Sequence, residues 1–324
     1  DARPERAERA FEIGALDAVG VDPKATLTFV ATPAGAVVEV AREALARGGF
    51  VTDVAGVKEG IVTSLPDARF VGGHPMAGSE QEGVDGADAD LFQGATWVLT
   101  PSDATDPAAF ATVRAVVASL GANVVEVPAR RHDDLVALVS HVPHLTAATL
   151  MNLASDAASE HATLLRLAAG GFRDMTRIAA GHPGIWPDVC VDNRAGILEV
   201  LDRLVAALAD MRDVIASQDR EGLLKTLERA REARVNLPAG VGPNQVPVEL
   251  RVPVPDQPGV LAEVTTVLGE RGVNIYDLEI AHSGEGAGGV LVLVIDGASL
   301  EVARQALTAG GHKLSVRQLG PHGT

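Results

Sequence analysis

His74 has a position in this sequence that suits acid–base chemistry. It lies in the segment Gly72-Gly-His-Pro-Met-Ala-Gly-Ser-Glu80, at the end of an apolar run predicted to be a strand. Glycines on both sides let other groups approach the imidazole closely. Reacting groups gather at the carboxyl ends of strands in α/β sheets, and imidazole exchanges protons near neutral pH. The position of His74 in the sequence fits equally well a histidine that only forms a hydrogen bond within a turn.

Two further histidines occur in Ser140-His-Val-Pro-His144, inside an apolar helical run over residues 135–150. Imidazoles and a hydroxyl on a buried helix need polar partners, and Pro143 should kink the helix. The spacing lacks the carboxylate or thiolate ligands of a zinc site, so we predict no metal there. The alternative is that His141 and His144 are buried residues whose ring nitrogens are hydrogen-bonded and which have no catalytic or binding role.

A cluster of charged residues, Arg173, Asp174 and Arg177, precedes Trp186. The two arginines are four residues apart and share a helical face if the segment is helical. If one of them pairs with Asp174, the other is free to hold a carboxylate bidentately.

The pair Asp133-Asp134 follows His132 and has two interpretations. The three side chains could bind a metal, but a pair of helix-capping carboxylates is favoured.

Composition excludes several classes of function. The 324 residues carry a net charge of −16 with only 3% aromatics, which argues against nucleic acid as a partner. The single cysteine, Cys190, cannot form an internal disulfide. There is no apolar run of about 18 residues to cross a bilayer, and no signal peptide is recognised. We therefore expect a soluble cytoplasmic protein without a membrane partner.

The pattern of elements predicts three domains. Apolar strands alternate with helices over residues 1–128, which predicts a doubly wound parallel α/β sheet of Rossmann type. Helical periodicity dominates residues 129–237 and predicts a substrate or dimerisation domain. A Gly/Pro-rich linker, 238–247, precedes a βαββαβ pattern over 248–324 that is typical of a ferredoxin-like unit.

Together these motifs resemble the prephenate dehydrogenase family of tyrosine biosynthesis. Five segments in order carry the resemblance: Ala31-Thr-Pro33, Thr52-Asp-Val-Ala-Gly-Val-Lys58, Gly72-Gly-His-Pro-Met-Ala-Gly78, Ser140-His-Val-Pro-His144, and Gly171-Phe-Arg-Asp-Met-Thr-Arg-Ile178 with Trp186 downstream. The resemblance implies oxidative decarboxylation of prephenate to 4-hydroxyphenylpyruvate, with hydride passing to NAD in preference to NADP. It also implies a homodimer formed through the helical domain.

The resemblance also assigns residue roles. His74 would take the proton of the ring hydroxyl, and His144 would orient the substrate or cofactor. The substrate-binding residues would be Arg177, Trp186, Glu80, Ser140 and Asp133, the last of which could reach the pocket from a partner subunit. The cofactor-binding residues would be Asp1, Thr32, Pro33 and Gly56.

Two departures from the family pattern affect these expectations. Gly56 stands where many relatives carry a serine whose hydroxyl contacts the histidine or substrate, so that hydrogen bond is weakened or shifts to Thr52 or Ser79. The glycine-rich dinucleotide fingerprint, with its strand and helix, is expected upstream of Asp1. We therefore expect the chain as written to bind cofactor poorly.

The last domain resembles an ACT regulatory domain. The resemblance rests on Asp256-Gln-Pro-Gly-Val-Leu261 and Gly272-Val-Asn-Ile275. It implies an amino-acid effector, tyrosine first, that binds and inhibits; a domain that only dimerises is the alternative. The effector-binding residues would be Asp256, Pro258, Gly259, Val260, Leu261, Asn274 and Ile275.

Two other functions remain open at this point. An arogenate dehydrogenase would use the same hydride step, and Asp174 near Arg177 could receive the ammonium group of arogenate. A non-catalytic amino-acid sensor is the alternative from another class, although such a sensor would not need His74, His144 and Arg177.

Overall fold

The first structural unit is built on a five-stranded sheet. The computed structural model describes residues 3–78, 83–84, 87–160, 167–235, 247–255, 257–282 and 288–318, and its chain divides into two units, Asp1–Ala209 and Asp210–Thr324. The strands in spatial order are β1 (Leu27–Val30), β2 (Phe50–Asp53), β3 (Phe70–Pro75), β4 (Thr96–Thr100) and β5 (Asn123–Glu126). The accompanying helices are α1 (Pro4–Glu12), α2 (Ala34–Arg47), α3 (Glu59–Ser64) and α4 (Pro107–Ser119).

Burial explains why these runs form the centre of the unit. Val30, Val51 and Leu99 are at most 2% exposed, as expected for strands covered on both faces. The pairs β1–β2, β2–β3 and β4–β5 are parallel. The predicted doubly wound α/β fold is therefore confirmed.

Two strands, β4 and β5, run against the other three. β4 is antiparallel to β3, with His74 opposite Val98 and Pro75 opposite Trp97. A parallel neighbour requires a crossover connection, usually a helix. The described residues between the two strands form no α-helix, so the chain returns antiparallel.

Helices make up the remainder of the first unit. They are α5 (Ala129–Val136), a π-helical stretch (Ala137–His141), α6 (Val142–Glu160), α7 (Gly170–Thr176), two 3₁₀ turns (Arg177–Ala180 and Pro183–Ile185), α8 (Trp186–Asp192) and α9 (Arg194–Ala216), whose last turns belong to the second unit. The π-helical stretch lies directly before Pro143, where the expected distortion is confirmed. Proline lacks an N–H and its ring clashes with the carbonyl four residues earlier, which widens the helix.

The second unit contains a four-stranded antiparallel sheet in the order β7-β8-β6-β9. Its elements are α10 (Arg220–Val235), β6 (Pro247–Pro255), α11 (Val260–Gly269), β7 (Ile275–His282), β8 (Gly288–Asp296), α12 (Leu300–Ala309) and β9 (Ser315–Gln318). Leu250, Leu293, Leu268 and Leu307 are fully buried between sheet and helices. The predicted βαββαβ order is confirmed; of the predicted linker, only Pro247 lies within the described residues.

A membrane-crossing helix, which must be both long and apolar, does not occur in the part of the chain that the structure describes.

Candidate active site

The candidate site lies where β2 and β3 end. Asp53 is the last residue of β2, and His74 is next to the last residue of its parallel neighbour β3. Parallel neighbours end at the same edge of a sheet, which brings these side chains together. Helix α5 contributes His132 and Asp133 to the same edge.

A chain of hydrogen bonds joins His74, His132 and Asp133. His74 Nδ1 lies 2.8 Å from His132 Nε2, and His132 Nδ1 lies 2.7 Å from Asp133 Oδ1. A carboxylate only accepts hydrogen bonds, so His132 donates through Nδ1, and in the neutral imidazole its Nε2 then accepts. His74 then donates through Nδ1, which leaves its Nε2 unprotonated and able to take a proton.

The Asp133 carboxylate is anchored inside the subunit. Its two oxygens accept the backbone N–H groups of Lys58 and Glu59, each at 2.8 Å, and thereby cap the start of α3. Asp133 is only 2% exposed. The expectation that Asp133 reaches the pocket from a partner subunit is therefore wrong, because its oxygens are occupied within its own subunit. The capping interpretation is correct for Asp133, although the helix it caps is not its own.

A buried ion pair supports the strand that carries His74. Lys58 and Asp53 pair through Nζ and Oδ2, and both side chains are fully buried. The other Asp53 oxygen accepts the backbone N–H of Gly73 at 3.1 Å. A Cβ at Gly73 would lie 2.6 Å from the Asp53 carbonyl oxygen, so only glycine permits this approach. Burial lowers the pKa of Lys58, and the Asp53 and Asp133 carboxylates oppose that shift.

The electrostatic surroundings keep His74 neutral. Burial, followed by the nearby His132, Lys58 and His141 side chains, lowers the pKa of His74 to about 3. Gly56 faces the free nitrogen, since a Cβ there would lie 3.7 Å from His74 Nε2. A neutral imidazole with an open Nε2 is the arrangement required of a general base at neutral pH.

A second cluster pairs His144 with Trp186. Their rings stack with centroids 3.7 Å apart, and the edge of Trp186 also meets His141, with centroids 6.2 Å apart. Burial lowers the pKa of His144. Asn193 connects the two clusters because its Nδ2 donates to the Asp133 carbonyl at 2.7 Å and lies 3.2 Å from His141 Nδ1.

The remaining predicted substrate residues lie nearby or outside the described residues. Arg177 is exposed and begins the 3₁₀ turn that ends beside His144; a Cβ at Gly181 would lie 3.7 Å from His144 Cε1. Within the described part of the chain, no ion pair joins Arg177 to Asp174. Ser140 is half-buried in the π-helical stretch. Glu80 lies outside the described residues.

Two of the predicted cofactor residues lie at the end of β1, and a third, Gly56, follows β2. Thr32 and Pro33 lie between β1 and α2, and the Thr32 hydroxyl is buried without a hydrogen-bond partner in the described structure. An orphaned hydroxyl at the carboxyl end of a parallel strand suits the polar groups of a dinucleotide. Asp1 lies outside the described residues.

The second unit contains a small cavity of about 180 Å³ at the β6–α11 turn. Four of the predicted effector residues line it: Pro258, Gly259, Val260 and Leu261. Gly259 has φ +94°, a conformation that favours glycine. Asn274 is exposed directly before β7, and Ile275, the first residue of β7, packs against the core instead. Asp256 lies outside the described residues.

These features define an α/β nucleotide-binding fold joined to helices and a ferredoxin-like domain. Models of the prephenate dehydrogenase nucleotide-binding domain, the prephenate dehydrogenase dimerization domain and the ACT domain match residues 1–126, 128–229 and 248–309. The prephenate dehydrogenase of Bacillus subtilis is 33% identical over 308 residues, which cover 90% of this chain and 82% of that protein. The chain belongs to the prephenate dehydrogenase family.

Solved structures agree with this assignment. Prephenate dehydrogenase of Aquifex aeolicus, in complex with hydroxyphenyl propionate and NAD⁺, matches with a TM-score of 0.69 and 27% identity over 74% of this chain and 87% of that one. Synechocystis arogenate dehydrogenase matches with a TM-score of 0.62 and 30% identity, covering 72% and 87%. The chain is therefore an oxidoreductase of the prephenate, cyclohexadienyl and arogenate dehydrogenase family of tyrosine biosynthesis, and it carries an ACT domain.

Sequence reasoning missed two participants. The sequence indicates only a metal cluster or capping carboxylates next to His132, whereas the structure places its ring against His74. Asn193 carries no signal of its own, since it lies within the helical periodicity of residues 129–237. The observed break between α8 and α9 at Asn193 is what frees its side chain to reach Asp133 and His141.

Proposed function

We propose that this chain catalyses the oxidative decarboxylation of prephenate to 4-hydroxyphenylpyruvate, with NAD as the hydride acceptor. The observation that carries the proposal is the neutral His74 imidazole, whose Nε2 is free at the carboxyl end of β3. The similarity to the Bacillus and Aquifex prephenate dehydrogenases supports the choice of substrate.

In the proposed reaction, His74 Nε2 accepts the proton of the ring hydroxyl while the C–H bond on the same carbon breaks. A bound nicotinamide dinucleotide supplies the acceptor for the departing hydride. Loss of carbon dioxide then leaves an aromatic ring, which makes the reaction favourable. General-base catalysis of this kind contributes about 10²- to 10⁴-fold to the rate.

Substrate and cofactor would be held by residues around His74. The exposed Arg177 guanidinium would bind a substrate carboxylate bidentately, and the stacked His144 and Trp186 would form one wall of the pocket. Thr32 and Pro33 would contact the dinucleotide, and Asp1 would select NAD over NADP through the ribose hydroxyls.

Arogenate is the second candidate substrate. The similarity to Synechocystis arogenate dehydrogenase favours it, as does the Asp174 carboxylate three residues before Arg177. Arogenate differs from prephenate in carrying an ammonium group where prephenate has a ketone, and a carboxylate would bind that group.

The proposal includes a homodimer. Helices of the first unit expose large apolar side chains, among them Val191, Val205 and Leu208 at 73%, 64% and 58%, which suits a homodimer interface.

The proposal also includes an effector: tyrosine would bind the ACT cavity and inhibit the enzyme. If so, millimolar tyrosine raises the melting temperature, and phenylalanine and tryptophan serve as comparisons.

Absorbance of reduced cofactor tests the function directly. The protein assayed includes the segment expected upstream of Asp1, with its dinucleotide fingerprint. Prephenate and arogenate are supplied separately, each with NAD and with NADP. We expect prephenate turnover with NAD that falls at least about 100-fold in His74→Gln but not in His312→Gln, a histidine change in the second unit. Turnover of arogenate alone would change the substrate and keep the chemistry. Turnover of neither substrate would contradict the proposal and favour an amino-acid sensor.

A further inference from the structure

His132 is buried directly behind His74, and both of its ring nitrogens are engaged. We propose that His132 is a positioning residue that fixes His74 in the tautomer with a proton on Nδ1 and a free Nε2. The inference concerns how the base is prepared and rests on the proposed function for its kinetic consequence.

The direction of the hydrogen bonds follows from the Asp133 end. Asp133 Oδ1 accepts from both the Lys58 backbone N–H and His132 Nδ1, while Oδ2 accepts from the Glu59 backbone N–H. Three donors converge on one carboxylate, so it must stay an acceptor. His132 Nδ1 therefore carries a proton, and in the neutral imidazole the other nitrogen, Nε2, then accepts from His74 Nδ1.

The residues around His74 and His132 disfavour the opposite arrangement, in which His132 Nε2 would donate to His74 Nδ1. His132 is 2% exposed, and the two imidazole rings meet edge to face with centroids 5.0 Å apart. The positive charge of the nearby Lys58 side chain also disfavours a second proton on His74. The tautomer of one imidazole is set by the hydrogen bond at its other nitrogen.

The anchor is rigid because it joins three elements. Asp133 belongs to α5, its carboxylate caps α3, and the Lys58 side chain extends back to Asp53 at the end of β2. His132 thus transmits the fixed position of Asp133 to a base that lies on β3. Loss of a group that sets the tautomer of a catalytic base can lower kcat by up to about 10⁴-fold.

Nitrogen-15 NMR of histidine-labelled protein tests the tautomer without substrate. The spectrum of His74→Gln identifies the His74 resonances, and two-bond couplings then show which nitrogen bears the proton. We expect the Nδ1–H tautomer in the parent protein. His132→Phe, which keeps a ring but no acceptor, should lose this tautomer. His132→Gln should retain it, since its amide can donate to Asp133 while its oxygen accepts from His74.

Two spectral results would overturn the inference: an Nε2–H tautomer of His74 in the parent protein, or an unchanged tautomer in His132→Phe. If His132→Phe does not fold, the parent protein and His132→Gln still decide between the tautomers.

Kinetics supply the second measurement. We expect kcat to fall about 100-fold in His132→Phe and to recover at least tenfold in His132→Gln, with KM within about threefold in both, because His132 is only 2% exposed. Equal kcat values in the two variants would contradict the positioning role. An inactive parent protein with the expected tautomer would instead refute the proposed function and leave the positioning intact.

Discussion

The imidazole of His144 stacks on the indole of Trp186, with ring planes only 16° apart. The two residues come from different helices, α6 and α8, and Trp186 also packs against the core between α2 and the sheet. Trp186 therefore joins the α/β part of the first unit to the helix that carries the second histidine cluster.

Replacing Trp186 tests that junction. In Trp186→Leu the indole no longer shields His144, so the lowered pKa of His144 should rise toward its ordinary value of 6.5. An aromatic pair is worth about 0.5–1.5 kcal/mol beyond its buried area, so stability should also fall. Titration of the His144 ring proton by NMR measures the change, and Trp186→Phe, which keeps a ring, should respond less. An unchanged pKa in Trp186→Leu would show that the indole does not control His144.

Two adjacent carboxylates should differ sharply in their contribution to stability. Asp133→Asn places an amide N–H₂ among the N–H donors that now converge on a buried carboxylate, which should cost about 1–3 kcal/mol. Asp134 pairs with the exposed Arg130 at 3.2 Å, so Asp134→Asn should cost about 1 kcal/mol or less. Urea unfolding compares them; equal losses would refute the anchoring role of Asp133.

Much of this architecture could be predicted because local signals and tertiary packing agree. Pro107 predicts the start of α4, and the Asp106 side chain caps its N-terminus at 2.6 Å. The ACT strands are equally clear, since Leu250 and Leu293 lie on the buried face of alternating strands. The position of His74 at the end of β3 follows from the same patterns.

Contacts between distant residues could not be predicted in the same way. No periodicity indicates that His132 reaches His74, because the contact depends on the angle at which α5 meets β3. The antiparallel direction of β4 depends similarly on the connection before it and not on its own residues. Local sequence predicts elements, whereas the hydrogen bonds that prepare the candidate base arise only when those elements are assembled.

Gly56 offers a test of the empty space beside His74. A Cβ there would meet the nearest imidazole atoms at 3.7 Å and 3.8 Å, so Gly56→Ser should fit without strain. Its hydroxyl would lie within reach of His74 Nε2 or the substrate, and one hydrogen bond of about 1 kcal/mol corresponds to roughly fivefold in kcat/KM. We therefore expect Gly56→Ser to be several-fold more active than Gly56→Ala. Equal activities in steady-state assays would argue against a useful hydroxyl at this position.

The buried histidines should make stability fall below pH 6.5. Burial lowers the pKa of His74 to about 3 and that of His141 to about 4. The unfolded chain, with ordinary histidine pKa values near 6.5, therefore binds more protons as the pH drops from about 6.5 to 4. The stabilisation is present in full above pH 6.5 and is lost as the pH falls, by up to about 1.4 kcal/mol per pH unit for each histidine.

Urea unfolding followed by tryptophan fluorescence can measure this slope, since both tryptophans, Trp97 and Trp186, belong to the first unit. His74→Gln and His141→Gln should each flatten the dependence of unfolding free energy on pH between 6.5 and 4. Val117→Ala, a fully buried apolar change, should lower stability at every pH but keep the slope. A slope that survives both histidine substitutions would show that neither imidazole is held neutral by the fold.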